Sequence, residues 1–259
     1  MRDLRVTLVQ SMLHWEDATA NRAMLGARLS ALKGITDLVL LPEMFTTGFS
    51  MRSAEMAEDM GGPTVAWMRE QAGELDAALY GSVIIRDGDR RFNRGLFVEP
   101  DGQVSVYDKR HLFRFADETS HYSAGNERVI VEWRGWRLLL QICFDLRFPV
   151  FARNRRDYDA ILYVANWPEA RRYPWSQLLI ARAIENQCYV LGENRVGMDG
   201  KGIHYTGDSV AIDPKGQLIT ACEAAREQCL TCTLDRASLE EFRLKFPVAA
   251  EADDFDLRR

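Results

Sequence analysis

The strongest constraint on the fold is how often short apolar runs rich in β-branched and aromatic residues recur. They lie at 4–9, 38–41, 78–85, 95–99, 129–133, 138–142, 160–164, 189–191, 209–212 and 229–234. That is too many strands for one small sheet. Between them, apolar residues fall at helical spacing over 20–32, 64–75, 148–156 and 175–186. Turn chemistry punctuates the chain at 86–89, 100–102, 134–135 and 213–216, where Asp, Pro and Gly cluster. Strands alternating with helices, interrupted by hairpins, predict an α/β architecture with mixed sheets covered by helices, and two such sheets in a layered sandwich accommodate the count.

No linker, repeat or low-complexity tract divides the 259 residues, so the reading is one domain over 1–248 followed by a polar tail over 249–259. With 33 basic against 38 acidic side chains, the chain lacks the basic excess of a dedicated nucleic-acid binder. Its longest apolar run, Ala160 to Ala165, is far below the roughly 20 residues that span a bilayer, so no membrane role is expected. The N-terminus carries charges where a secretory signal needs an apolar stretch, which points to the cytoplasm. Five cysteines without the spacing of a small secreted domain read as reduced thiols.

Three segments carry chemistry. In 138–149, Leu-Leu-Leu-Gln-Ile-Cys-Phe-Asp-Leu-Arg-Phe-Pro, an apolar strand runs into Cys143 and a helical pattern follows. A cysteine on such a bend, near free helical N–H groups, has the geometry of a nucleophile with a nearby oxyanion donor, and the helix end favours its thiolate. In 38–45, Leu-Val-Leu-Leu-Pro-Glu-Met-Phe, Glu43 follows a strand apolar on both faces, hence central in its sheet. Residues just past such strand ends line ligand crevices, where a carboxylate can take a proton from a thiol. In 104–113, Val-Ser-Val-Tyr-Asp-Lys-Arg-His-Leu-Phe, Lys109 follows another strand; a lysine near a thiol lowers its pKa and stabilises an oxyanion.

The order Glu43, Lys109, Cys143 within these segments closely resembles the carbon-nitrogen hydrolase (nitrilase) superfamily and its Glu-Lys-Cys triad, and the resemblance runs from the first strand to about Leu234. Within the superfamily, 113–125, Asn166-Trp-Pro168, 181–187 and 204–209 are most similar to bacterial omega-amidases. This resemblance implies a four-layer α-β-β-α sandwich and hydrolysis of the terminal amide of 2-oxoglutaramate or 2-oxosuccinamate. It makes Cys143 the nucleophile, Glu43 the general base, and Lys109 with the backbone N–H of Phe144 the oxyanion stabilisers. Glu118, seven residues before Gly125, matches the family's second active-site glutamate. No metal or organic cofactor is implied, and a homodimer or higher homo-oligomer is.

Other signals are weaker. Trp167, at a strand end, suits a pocket wall, and a keto-acid substrate needs a cation for its carboxylate, for which Arg147, Arg171 and Arg172 are candidates, Arg147 being preferred. Cys229 and Cys232 form a CxxC pair, but in a strand residues three apart face opposite ways and cannot converge on one metal. Cys188 and Cys222 read as packing residues. Histidines 14, 111, 121 and 204 leave open a papain-like Cys-His alternative. The glycine-rich stretch 197–202 reads as a mobile loop. Another superfamily branch, such as a carbamoylase, nitrilase or deaminated-glutathione amidase, and a catalytically silent binding protein on the same fold, are the competing functions.

Overall fold

The computed structural model describes residues 2–257. One six-stranded sheet consists of β1 (Leu4–Gln10), β2 (Leu38–Leu40), β3 (Ala78–Asp87), β4 (Arg90–Val98), β5 (Val104–Asp108) and the distant β14 (Gln228–Leu234), in the order β14-β1-β2-β3-β4-β5. A second contains β6 (Ile130–Trp133), β7 (Trp136–Ile142), β8 (Ala160–Ala165), β9 (Tyr189–Asn194), β12 (Val210–Ile212) and β13 (Leu218–Ala221), in the order β13-β12-β9-β8-β7-β6. Both are mixed, with parallel cores β1-β2-β3 and β7-β8-β9 and antiparallel edges. A ribbon of β10 (Val196–Met198) and β11 (His204–Thr206) connects β9 to β12.

The helices are α1 (Ala18–Leu29), α2 (Ser53–Met56), α3 (Pro63–Leu75), α4 (Glu118–His121), α5 (Pro149–Ala152), α6 (Arg172–Asn186) and α7 (Arg236–Lys245). Alternation of side chains along each strand assigns the layers. In β2, Leu38 and Leu40 pack into the core shared with the second sheet, whereas Val39 faces outward to Leu25 and Leu29 of α1 and Val65, Met68 and Ala72 of α3. On the far side, Trp175, Leu179 and Ala183 of α6 pack on the second sheet, so the order is helix, sheet, sheet, helix. Each of the four turn signals joins two antiparallel strands. β2 is interior in its sheet, as a strand apolar on both faces requires.

Two expectations change, and one helix, α7, is additional to them. The helical pattern over 148–156 yields only the single turn α5, because the Asn154 amide bonds the carbonyls of Tyr158 and Asn186 and its own N–H bonds the Asn186 side chain, drawing the chain off the helix. The stretch 197–202 lies in the β10–β11 hairpin, held by Asp199, which accepts from Lys201 N, Ile203 N and the Tyr205 hydroxyl. α7 is polar over most of its surface and left no apolar run; it docks through Leu239. Within β14, Cys232 packs into the core between the sheets and Cys229 against the outer one. No described helix is long and apolar enough to cross a membrane.

Candidate active site

Three strand ends bring the site together. After β2 the chain passes Pro42 and Glu43 into a tight turn whose Met44 adopts φ 44°, fixed by bonds from Met44 N to Ser82 Oγ and from Phe45 N to Ser82 O. After β7, Cys143 itself adopts φ 44°, a conformation costly for a non-glycine residue, and opens the 3₁₀ turn Cys143–Arg147. Asp145 holds that turn. Its buried carboxylate accepts from Ile142 N (3.0 Å), the Tyr107 hydroxyl (2.7 Å), His111 N (3.0 Å) and His111 Nδ1 (2.8 Å). Lys109 follows β5, and its carbonyl accepts from Gly125 N; a Cβ at Gly125 would stand 2.1 Å from the Asp108 carbonyl, so this close approach requires glycine.

The four polar groups converge. Lys109 Nζ lies 2.8 Å from Glu43 Oε1 and 3.0 Å from both Glu118 oxygens, and all three side chains are buried. Asn93 Nδ2 donates to Glu43 Oε1 (2.7 Å) and to Glu118 Oε1 (3.2 Å). Asn166 N donates to Glu43 Oε2 (2.9 Å), and the Asn166 side chain donates to the Glu43 carbonyl (2.5 Å). Cys143 Sγ lies 3.9 Å from the Asn166 carbonyl. Glu118, at the start of α4, also takes Phe113 N at 2.5 Å, which ties the lysine loop to the carboxylate pair.

Burial, reinforced by the charge of Glu43, pushes the Cys143 thiol well above its usual range, and Lys109 opposes this without overcoming it. The expected thiolate bias is therefore reversed: a closed site penalises a sulfur anion more than the nearby lysine repays. Burial disfavours the Lys109 ammonium too, but Glu118 and Glu43 outweigh it and raise its pKa. Burial raises Glu118, with Lys109 opposing and Glu43 adding to the rise. The site thus disfavours ionisation of the Cys143 thiol near Glu43, with Lys109 bonded to Glu43 and Glu118. Such an arrangement can hand a proton across and polarise a carbonyl in one step.

Above these groups a narrow cavity is lined by Lys109, Cys143, Phe144, Arg147, Asn166 and Trp167, with Phe49, Phe113, Arg171 and Tyr205 among the remaining wall. The anticipated residues Phe144, Trp167 and Arg147 thus share one cavity with the nucleophile candidate. Arg147 lies over the Trp167 ring (5.2 Å) and Arg171 over the Phe113 ring (5.1 Å), and both arginines line the cavity. Arg172 is elsewhere: it is exposed and pairs with Asp208 at 2.7 Å. None of the four histidines lines the cavity; His111 serves Asp145 and stacks on Phe148. Sequence reasoning did not single out Asn93, Asp145 and the Asn166 side chain. Asn93 sits between Phe92 and Arg94 of β4, outside the apolar run 95–99, so no local pattern marked it.

The carbon-nitrogen hydrolase family model matches residues 5–244. The chain is 50% identical over 259 residues to the omega-amidase YafV of Escherichia coli (strain K12), covering 99% of this chain and 100% of that protein. It is 34% identical over 218 residues to the 2-oxoglutaramate amidase of Bacillus subtilis (strain 168), covering 82% and 83%. Among solved structures, a carbon-nitrogen hydrolase superfamily protein of Xanthomonas campestris with an arsenic adduct in its active site superposes with a TM-score of 0.98 at 52% identity, each chain covered in full.

Proposed function

The chain belongs to the carbon-nitrogen hydrolase family and is an amide-hydrolysing enzyme; from that premise we propose that it is an omega-amidase of small 2-oxo acids, with Cys143 as nucleophile, Glu43 as general base, and Lys109 with the Phe144 N–H as oxyanion stabilisers. The observation that carries the roles is Lys109 Nζ bonded to both Glu43 and Glu118 on the floor of the cavity that Cys143 lines.

The reaction follows from charge and reach. Glu43 takes the thiol proton as Sγ bonds the amide carbon, so no free thiolate has to be stabilised in the closed site. The carbonyl oxygen becomes an oxyanion, met by the Lys109 ammonium and by the Phe144 N–H in the first turn of the 3₁₀ segment, where main-chain donors have no partner within the helix. Glu43 returns the proton to nitrogen as the C–N bond breaks, so ammonia leaves and a thioester remains. Glu43 then deprotonates water, which attacks the thioester, and the proton passes to the departing sulfur. Glu118 keeps Lys109 charged and in place. This scheme uses only the chain's own residues, substrate and water.

For the substrate, Arg147 and Arg171 beside the apolar rings of Phe113, Phe144 and Trp167 favour a short acyl chain ending in a carboxylate. The names borne by the Escherichia coli and Bacillus subtilis relatives point the same way. Purified protein is expected to release ammonia from 2-oxoglutaramate and 2-oxosuccinamate in preference to simple aliphatic amides, and Cys143→Ala to abolish the release. Wild-type turnover of 2-oxoglutaramate no faster than that of the Cys143→Ala variant would refute the substrate assignment. Family resemblance supports a homodimer, which light scattering tests, and five free thiols fit a reducing compartment, the cytoplasm.

A further inference from the structure

Asn93 lies in β4 opposite Ile84 and is fully buried. Its carbonyl takes Lys109 N at 3.0 Å, so one residue fixes both the backbone that carries the lysine and the carboxylates the lysine bonds. Both protons of the amide are spent, one on Glu43 and one on Glu118. Its Oδ1, in contrast, is buried with no hydrogen-bond partner among the described residues. Turning the amide over would aim that oxygen at two carboxylates, so the orientation is fixed by charge. A buried acceptor left unmatched is unfavourable, and here it accompanies two donors placed on two like-charged groups.

We propose that Asn93 is a positioning residue of the amidase: it pins Glu43 and Glu118 around Lys109 and thereby sets the geometry of proton transfer between Cys143 and Glu43, while remaining outside the substrate cavity. The inference rests on the assignment of Cys143 as nucleophile and Glu43 as base. Without the amide, two buried carboxylates share one ammonium, and Glu43 Oε1 loses its shorter bond. The carboxylate then swings within the remaining space, and the proton-transfer distance is no longer fixed. Substrate contacts are untouched, because Asn93 is not among the cavity-lining residues. The ionisable groups around this pair are Lys109, Cys143, Tyr80 and Tyr122, and any pH effect is read against them.

The test compares Asn93→Leu, similar in volume but without donors, with Asn93→Asp, which replaces both donors by acceptors. Asn93→Leu is expected to lower kcat about 10- to 100-fold, the size of a lost hydrogen bond to a charged group, with KM within about twofold. Asn93→Asp is expected to be poorer at neutral pH and to recover as pH falls, because the introduced carboxyl regains one donor once it is protonated; Asn93→Leu shows no such recovery. Should the Leu variant misfold, the pH recovery of Asn93→Asp decides alone. Unchanged kcat in the folded variants, or an Asn93→Asp pH profile like that of wild type, overturns the proposal. Glu43→Gln is run in parallel: if it turns over like wild type, the base assignment itself fails, whereas an inactive Glu43→Gln beside active Asn93 variants removes only the role of Asn93.

Discussion

Asp145→Asn changes one atom and tests whether the nucleophile turn is held from beneath. All four partners of the Asp145 carboxylate are donors: two from His111 meet Oδ1, and Ile142 N with the Tyr107 hydroxyl meet Oδ2. Asparagine must present an NH₂ to one of these pairs. The tyrosine hydroxyl can turn to accept, and the imidazole can change tautomer, but the backbone N–H of Ile142 or His111 cannot. Either orientation leaves one main-chain donor facing another donor in a buried site. Losing a bond to a charged acceptor costs about 1.5–3 kcal/mol. At about 2–4 °C per kcal/mol for a chain approaching this size, Tm is expected to fall by roughly 3–12 °C. Because Ile142 immediately precedes Cys143 and its strained φ, the sulfur also shifts, and misplacement by about 1 Å lowers kcat about 100-fold. Ammonia release and thermal unfolding measured on the same preparation give both numbers. A variant with lowered Tm but kcat within about twofold of wild type would show that Asp145 supports the fold without placing the nucleophile, and the reasoning would fail.

Because the Glu43 charge adds to burial in pushing the Cys143 thiol up, Glu43→Gln eases thiolate formation while removing the base; iodoacetamide is expected to label Cys143 at least as fast as in wild type, while turnover drops by about 10²–10⁴. Labelling that slows in parallel with turnover would contradict this. Arg171→Ala is expected to raise KM for 2-oxoglutaramate about tenfold or more and leave that for a neutral aliphatic amide unchanged, the cost of one charge-assisted contact; equal effects on both substrates would remove Arg171 from carboxylate recognition. Asp159 lies buried among Arg137, Arg236 and Arg243. Burial alone would raise its pKa, but the Arg137 hydrogen bonds and the surrounding guanidinium charges outweigh it and lower the pKa from 3.8 to about 2. A depressed carboxylate stabilises the fold above its unfolded pKa and loses that contribution as pH falls through the folded one, so about 2 kcal/mol disappears between pH 3.8 and about 2. Asp159→Asn is expected to flatten this part of the acid-unfolding curve, and an unaltered curve argues against the role.

Local pattern carried much of this molecule. Glu43, Lys109 and Cys143 were legible because each lies just past a strand end, Cys143 directly after the apolar β7, Lys109 directly after β5 and Glu43 three residues beyond β2, and residues at such ends line the crevice. β13 and the β10–β11 ribbon were less legible, since strands of three or four residues leave too short a pattern to distinguish from a turn. The fate of 148–156 was likewise hidden: its periodicity is helical, and the Asn186 side chain that competes with the helix lies 32 residues away.

What the sequence determined by itself is the α/β layering and the three strand-end side chains, because alternation and helical spacing are written in neighbouring residues. What only tertiary structure decided is how those side chains are tuned. Asn93 reaches Glu43 across 50 residues and Asn166 across 123, while Tyr107 reaches Asp145 across 38. Whether Cys143 rests as thiol or thiolate depends on the sum of burial, two carboxylates and one ammonium. That sum exists only once the two sheets close over the site, because desolvation and charge at a few ångströms are properties of the packed interior rather than of any segment.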